Sequence, residues 1–486
     1  MLDGVRRVLG SSAAPSVAVT AGSVFGIALN LVIPFVLPMA EYALYSLLLG
    51  LAQLVTSLSF EWMRLAMLRH GYGADEVVAH QRRLVLARCY VATTGVLLVA
   101  AVLVASITMV WSWAGAISIV LACAAIQGAF DGQMAAARAR FDNLAFSGRW
   151  IVRALLGLVL AIVFAAVFQT GMAALAGLTL SYPLAALLWR ENLLAALGRG
   201  EAFDWAEFRL LFGFGELAAL ATNLSVAVPA VVRSLVVGSL GLAGAGGVLL
   251  AIDIGQRLFS TVGTAINVVV VQRAIRAMEH DDSAAVRRRL RDQVVVAVGV
   301  VAPLAIGLIA LRGQVAELIV PLDYRVGFAA GLLAVTLASA LQAMRQYALD
   351  PLFLIFGRSG GAPLAPAVVL ALLAVSTITP MAWWGSALAA AVLPLLLAHA
   401  IGLVVTIAAL CLLTPMRWPW HDLWRLALAV GAMGTIAAVL PASEGLADGV
   451  VVFLALAVPY AGCVLALDVG GIRSAGVAQT RGGAAT

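Results

Sequence analysis

The stretch Ser16–Leu37, SVAVTAGSVFGIALNLVIPFVL, runs for twenty-two residues without a charged side chain. About twenty apolar residues are what a helix needs to cross the hydrocarbon of a bilayer, so this run reads as a membrane span. It exceeds the apolar core of a secretory leader, and no convincing cleavage site follows it. With Arg6 and Arg7 ahead of it, it reads as a retained first span.

The pattern recurs along the chain. Apolar runs of spanning length lie near 16–38, 42–62, 88–110, 113–137, 147–168, 171–190, 209–237, 243–272, 293–311, 327–349, 363–382, 385–413, 423–441 and 449–469. Composition agrees: of 486 residues 63% are hydrophobic and 11% charged, and the mean hydropathy is +1.05. A soluble domain is about half apolar and a quarter charged, so soluble, fibrous and disordered classes are excluded. The expected fold is an all-α polytopic membrane protein with about fourteen transmembrane helices.

All 30 basic residues are arginine. Schiff-base chemistry and a phosphate-cradling P-loop lysine are therefore ruled out. The arginines fall in alternate loops: Arg64, Arg69, Arg82, Arg83 and Arg88 after span 2, Arg138, Arg140 and Arg149 after span 4, and Arg190 and Arg199 after span 6. Arg273, Arg276, Arg287, Arg288, Arg289 and Arg291 follow span 8, Arg417 and Arg425 follow span 12, and Arg473 and Arg481 follow span 14. The intervening loops Met39–Glu41, Trp111–Ser112, Gln169–Thr170, Gly238–Leu242, Thr377–Trp384 and Pro441–Asp448 are nearly free of arginine, with Arg312 and Arg325 after span 9 as the exception. Positive charge is retained on the cytoplasmic side, so both termini are expected there. The net charge of +6 thus reports orientation, and no nucleic-acid partner is expected. The five histidines and four cysteines are scattered singly, which points to no metal, disulfide or cofactor.

Spans 1–6 and 7–12 form a faint duplication. Each set begins on the cytoplasmic side, and the polar connector Glu191–Glu207 separates them. Repeats of six spans share an orientation and are related by an axis along the membrane normal. The expected organisation is an N-terminal six-helix lobe (1–190), a connector (191–208), a C-terminal six-helix lobe (209–413) around a shared central cavity, and a helix pair with a tail (414–486).

Ionisable groups inside the hydrocarbon are costly, at about 2.5–3.5 kcal/mol each. On span 8, Asp253 and Arg257 lie roughly 15 and 21 Å deep at 1.5 Å per residue, share a helix face and can pair. They read either as a structural pair or as a cavity arginine with an acid that releases it. Glu216 on span 7 lies about 12 Å deep by the same rise. Arg233 is expected to snorkel to the headgroups, and Arg345 and Asp350 to act as interface anchors. Glu61 with Arg64 near the end of span 2, Asp131 on span 4, and Arg149 and Arg153 at the start of span 5 fit an interfacial role as well as a functional one. The segment Arg273–Arg291 reads as an amphipathic helix on anionic headgroups, and Trp418, Trp420 and Trp424 as an aromatic belt.

Leu37-Pro-Met-Ala-Glu-Tyr-Ala-Leu-Tyr-Ser46 resembles the LsPxEYGxYsL stretch of polysaccharide transporters, the O-antigen and capsule flippases of the multidrug/oligosaccharidyl-lipid/polysaccharide (MOP) exporter superfamily; Ala43 stands where a glycine is usual. Phe60-Glu-Trp-Met-Arg-Leu-Ala-Met-Leu-Arg69 is similar to the end of their span 2, and Ala251-Ile-Asp-Ile-Gly-Gln-Arg257 with Gln272–Glu279 to their span 8 and the loop after it. The resemblance implies alternating access and export of an undecaprenyl-diphosphate-linked oligosaccharide. A planar guanidinium binds phosphate oxygens bidentately, which makes Arg257, Arg64, Arg149 and Arg153 the candidate substrate ligands. Asp253 and Glu216 are the candidate carriers for a proton or sodium gradient. Membrane lipids and polysaccharide polymerase machinery are the implied partners. The alternatives are a drug/cation antiporter of the same superfamily, against which deep arginines and fourteen spans argue, and a membrane-embedded polymerase or ligase. Such an enzyme needs long outer loops, which this sequence lacks, so no enzymatic activity is expected.

Overall fold

Each apolar run lies on helix in the computed structural model, which describes residues 14–72, 75–107, 113–187, 203–279, 283–356, 358–379, 381–414, 418–440 and 446–469. Among the described residues there are fifteen α-helices and no strands. They are α1 (Ala14–Val32), α2 (Met39–His70), α3 (Glu76–Ser106), α4 (Ala114–Ala139), α5 (Asn143–Phe168), α6 (Gly171–Leu187), α7 (Trp205–Glu279) and α8 (Ser283–Ala310). There follow α9 (Arg312–Ile319), α10 (Arg325–Ala343), α11 (Asp350–Ile355), α12 (Leu364–Ile378), α13 (Ala387–Leu413), α14 (Trp420–Val439) and α15 (Leu446–Ala466). Among the described residues, eleven candidate spans are long and apolar enough to cross a membrane; one of them, Ala219–Thr264, runs through parts of both expected spans 7 and 8. Two shorter apolar helices, α6 and α12, account for the remaining runs.

Local chemistry explains where the helices begin. Asp75 accepts from the Val77 and Val78 amides, Asp142 from Ala145, Asp204 from Ala206 and Glu207, and Ser386 Oγ from Ala389. These are N-cap residues satisfying the orphan donors of a first turn. The α6 cap comes from another helix: Glu41 of α2 accepts the Gly171 amide at 2.8 Å. In the middle of α7 the expected loop Gly238–Leu242 is instead a break at a single residue. Gly241 has φ 69° and ψ 167°, a conformation that only glycine adopts without strain, and helix continues on both sides of it.

The chain divides into two compact units, Met1–Leu249 and Leu250–Thr486. In the first unit, α5 packs on α1 and α6, and α4 on α2, α3 and α6. In the second, α8 packs on α10, α14 and α15, and α13 on α10 and α12. The division falls within the second arm of α7, past the connector 191–208, of which residues 191–202 lie outside those described. The side chains of most of the Arg273–Arg291 segment lie outside them too.

Two sequence expectations change, and part of one exception finds a local cause. Arg233 does not reach for headgroups; it is buried, its Nε donating to Ser46 Oγ at 3.2 Å. Arg345 is no interface anchor either: it is 1% exposed and paired with Asp350. Arg325, part of the exception in the arginine pattern, donates to the carbonyls of Glu317 and Val320 at the end of α9, where a cation suits the exposed C-terminal carbonyls.

Without a hydrophobic drive between helices in lipid, small residues where helices meet let backbones approach. Gly128 of α4 is at such a meeting point, since a Cβ there would sit 2.2 Å from the Phe60 ring. That ring is buried and stacked on Tyr90 at 5.7 Å, so it has no room to yield. Gly128→Ala is expected to destabilise the protein by about 1–3 kcal/mol through overpacking, seen as a lower unfolding midpoint in detergent with the helical content retained.

Candidate functional site

In the first unit, charged and aromatic side chains from five helices meet. On α2, Glu61 and Arg64 are three residues apart and therefore neighbours on one face. Arg64 donates Nε to Glu61 Oε2 at 2.7 Å and Nη2 to Oε1 at 2.5 Å. Glu61 is buried, whereas the Arg64 side chain keeps about a third of its surface exposed. On α4, Asp131 is hydrogen-bonded to Gln127 one turn earlier and acts electrostatically on both Arg64 and Arg153. On α5, Arg153 donates Nη2 to the Tyr182 hydroxyl of α6 and lies 4.3 Å over the centre of that ring. Tyr182 packs edge-on against Phe130 at 5.4 Å. Tyr90 of α3 is buried and lies in the field of Glu61, Arg64 and Asp131.

Helical spacing assembles this group. Gln127 and Asp131 are four apart on α4, as are Arg149 and Arg153 on α5, so each pair presents one face. Arg149 is 1% exposed, and its helix is held to α1 where the Trp150 ring lies over Gly22. A charge held in a low-dielectric interior needs a partner: Glu61 supplies it to Arg64, the Tyr182 hydroxyl accepts from Arg153, and Asp131 acts electrostatically on both arginines. What the arrangement can do follows from its chemistry: guanidinium forks held by exchangeable carboxylates can accept phosphate oxygens in their place.

The structure thus joins Arg64 and Arg153 through Asp131 and places Arg149 one turn from Arg153. Glu216 is exposed on the first arm of α7, next to Gly215, which packs against the Trp62 backbone. Asp253 and Arg257 belong to the second unit. Asp253 is buried and Arg257 exposed. Gly255, Phe259 and Gly263 form the α7 face turned inward, with Gly255 against Val335 and Ser339 and Gly263 against the Tyr347 ring. Arg257 lies two residues from Gly255 and so on a different side of the helix. Among the described residues, no group of three or more His, Cys, Asp or Glu stands together that could hold a metal ion.

No family model matches the sequence, and no curated protein matches it. Solved structures do. The chain is similar to the lipid II flippase MurJ in an inward closed conformation, with a TM-score of 0.69 at 10% identity over 94% of this chain and 99% of that one. It is also similar to a multidrug resistance MATE family transporter of the MOP superfamily. The inward-facing form gives a TM-score of 0.58 at 12% identity over 83% of this chain and 96% of that one. The outward-facing form gives 0.53 at 12% identity, over 83% and 97%. The fold is that of the MOP-superfamily transporters.

Within this MOP fold, the residues that sequence reasoning undervalues are Asp131, Gln127, Tyr90 and Tyr182. Asp131 in an apolar run is the available signal, but its partners lie on other helices, and linear spacing does not report them. Tyr182→Phe is expected to lower stability by about 1–3 kcal/mol by orphaning the partly buried Arg153 donor. The ring and its packing on Phe130 remain, so an unchanged melting curve in detergent would show that Arg153 has a second acceptor.

Proposed function

We propose that the chain is a flippase carrying undecaprenyl-diphosphate-linked oligosaccharides from the cytoplasmic to the periplasmic leaflet of the bacterial inner membrane. Its product feeds synthesis of O-antigen, capsule or exopolysaccharide. The observation that carries this reading is the extent of the flippase likeness, 94% of this chain and 99% of the other. The two forms of the MATE family transporter are used almost completely but leave 17% of this chain unmatched, 100% less the 83% covered. That surplus amounts to about two spans with their loops at ~20 residues per span.

The chemistry fits the cargo. A diphosphate headgroup needs a wet cationic path, while its polyprenyl tail can stay in lipid. Arg64, Arg149 and Arg153 in the first unit and Arg257 in the second are the proposed phosphate ligands. Asp131 and Glu61 hold the first set when no cargo is present. The proposed machine consists of six-helix lobes 1–190 and 209–413 around a central cavity, joined by the connector 191–208, with 414–486 as an added pair and tail and both termini in the cytoplasm. Asp253 and Glu216 are the proposed carriers for a proton or sodium gradient. Polymerase machinery takes up the product. A drug/cation antiporter has the same fold in its favour, but cationic cargo conflicts with this run of arginines.

The test is genetic. Deletion of the gene is expected to abolish surface polysaccharide and to leave the lipid-linked oligosaccharide in the inner leaflet. Arg153→Ala and Arg257→Ala, expressed at normal level, are each expected to reduce surface polysaccharide at least about tenfold, the equivalent of ~1.4 kcal/mol in cargo binding. Normal polysaccharide in the deletion strain would refute the assignment; normal polysaccharide in one variant would remove that arginine from the path.

A further inference from the structure

Pro351 has no amide hydrogen for the carbonyl four residues earlier, that of Tyr347. That carbonyl instead accepts the side-chain amide of Gln293 from α8 at 2.8 Å. Between α10 and α11 the backbone of Met344–Leu349 widens into a π turn, closed where the Asp350 amide reaches back to the Arg345 carbonyl. In an α-helix, residues five apart are separated by about 140° around the axis, whereas the i→i+5 bonds of a π turn set them one above the other. Arg345 and Asp350 are five apart, and Nη1 donates to Oδ2 at 2.9 Å. The ion pair thus sits across the π turn, where the wider winding brings the two side chains closer to one face than an α-helix would.

The pair leaves atoms over. Arg345 Nε, Asp350 Oδ1 and both ring nitrogens of His399 on α13 are buried without a hydrogen-bond partner among the described residues. His399 is 2% exposed and lies in the field of Arg345. Orphaned buried polar atoms of a native protein call for an explanation. The helix α13 packs on this turn, so a guanidinium with an unused N–H and an imidazole with two unused nitrogens share one buried region. Arg345 has one acceptor engaged, the Asp350 carboxylate.

We propose that Asp350 binds a proton, and that the Arg345 guanidinium then passes from the Asp350 carboxylate to an imidazole nitrogen of His399 as the π turn relaxes. The proton arrives from water at the Asp350 side chain, which is 18% exposed, and forms an O–H bond on the carboxylate. No electrons move and no co-reactant is needed. A hard cation would need several oxygen ligands, and the one carboxylate here is held by Arg345, so the ligand is a proton. The other charged or titratable groups around the turn are few. Tyr347 lies on the turn itself, Arg291 and Asp292 flank Gln293 on α8, Arg358 follows α11, and Arg257 on α7 acts on Tyr347. The helix α10 carries no charged residue after Arg325.

The site is built from residues other than the arginines assigned to cargo and does not depend on what the cargo is. Infrared spectra of the purified protein in phosphatidylethanolamine–phosphatidylglycerol bilayers, titrated between about pH 4 and pH 9, read the carboxylic-acid C=O stretch directly. The wild type is expected to show a titrating band that Asp350→Asn lacks. His399→Leu, or His399→Met should the first not fold, removes the second acceptor. It is expected to weaken proton binding about tenfold, moving the midpoint lower by about one pH unit. His399→Gln keeps an acceptor oxygen and is expected to stay within about threefold of the wild type, ~0.7 kcal/mol by the same conversion. No titrating band, or the apolar His399 variant titrating like the wild type, overturns the proposal. The readout is spectroscopic, so failure here leaves the flippase assignment standing, and failure of that assignment leaves this site intact.

Discussion

A guanidinium inside an apolar bundle is tolerated only where neighbouring side chains take its charge and hydrogen bonds. This constraint governs both units. In the first, Glu61 and Asp131 neutralise Arg64 and Arg153, and aromatic rings of Tyr90, Tyr182 and Phe130 close around them. In the second, Asp350 neutralises Arg345 on a turn whose geometry exists to bring the two together. Such buried pairs add little net stability, because desolvation offsets the attraction.

The stretch that carries the family resemblance turns out to be a joint. Pro38 ends the chain's approach to α2, Glu41 caps α6 across the first unit, Tyr42 and Tyr45 are buried, and Ser46 receives Arg233. Glu41 and Ser46 each tie α2 to an element distant in sequence. Together they set the position of the helix that bears Glu61 and Arg64.

How much of this is legible in the sequence divides along a physical line. The spans are legible because hydropathy over some twenty residues is a local property that lipid alone enforces. The start of each capped helix is legible in principle from its Asp or Ser. What escapes are the relations between elements. Arg233 and Arg345 look like interface residues because the sequence reports depth along a helix and not the partners waiting there. Arg345 in particular needs knowledge that Pro351 displaces the Tyr347 carbonyl and rotates the next turn. Arg325 stands out in the arginine pattern as an anomaly, and its cause is a local cap at the end of α9. Arg64 and Arg153 are separate candidates along the chain; only the fold joins them through Asp131.

Gln293 gives α8 a double duty. The same helix that lends its amide to the Tyr347 carbonyl also bears the terminal hairpin, with Tyr460 of α15 donating to the Gly299 carbonyl at 2.5 Å and Leu426 of α14 packed on Val295. One strut thus has α14 and α15 along one side and a widened turn with a half-buried acid along the other. A lipid that pries α14 away from α8 would be felt, through less than two turns of helix, as a tug on the carbonyl that keeps Arg345 in line.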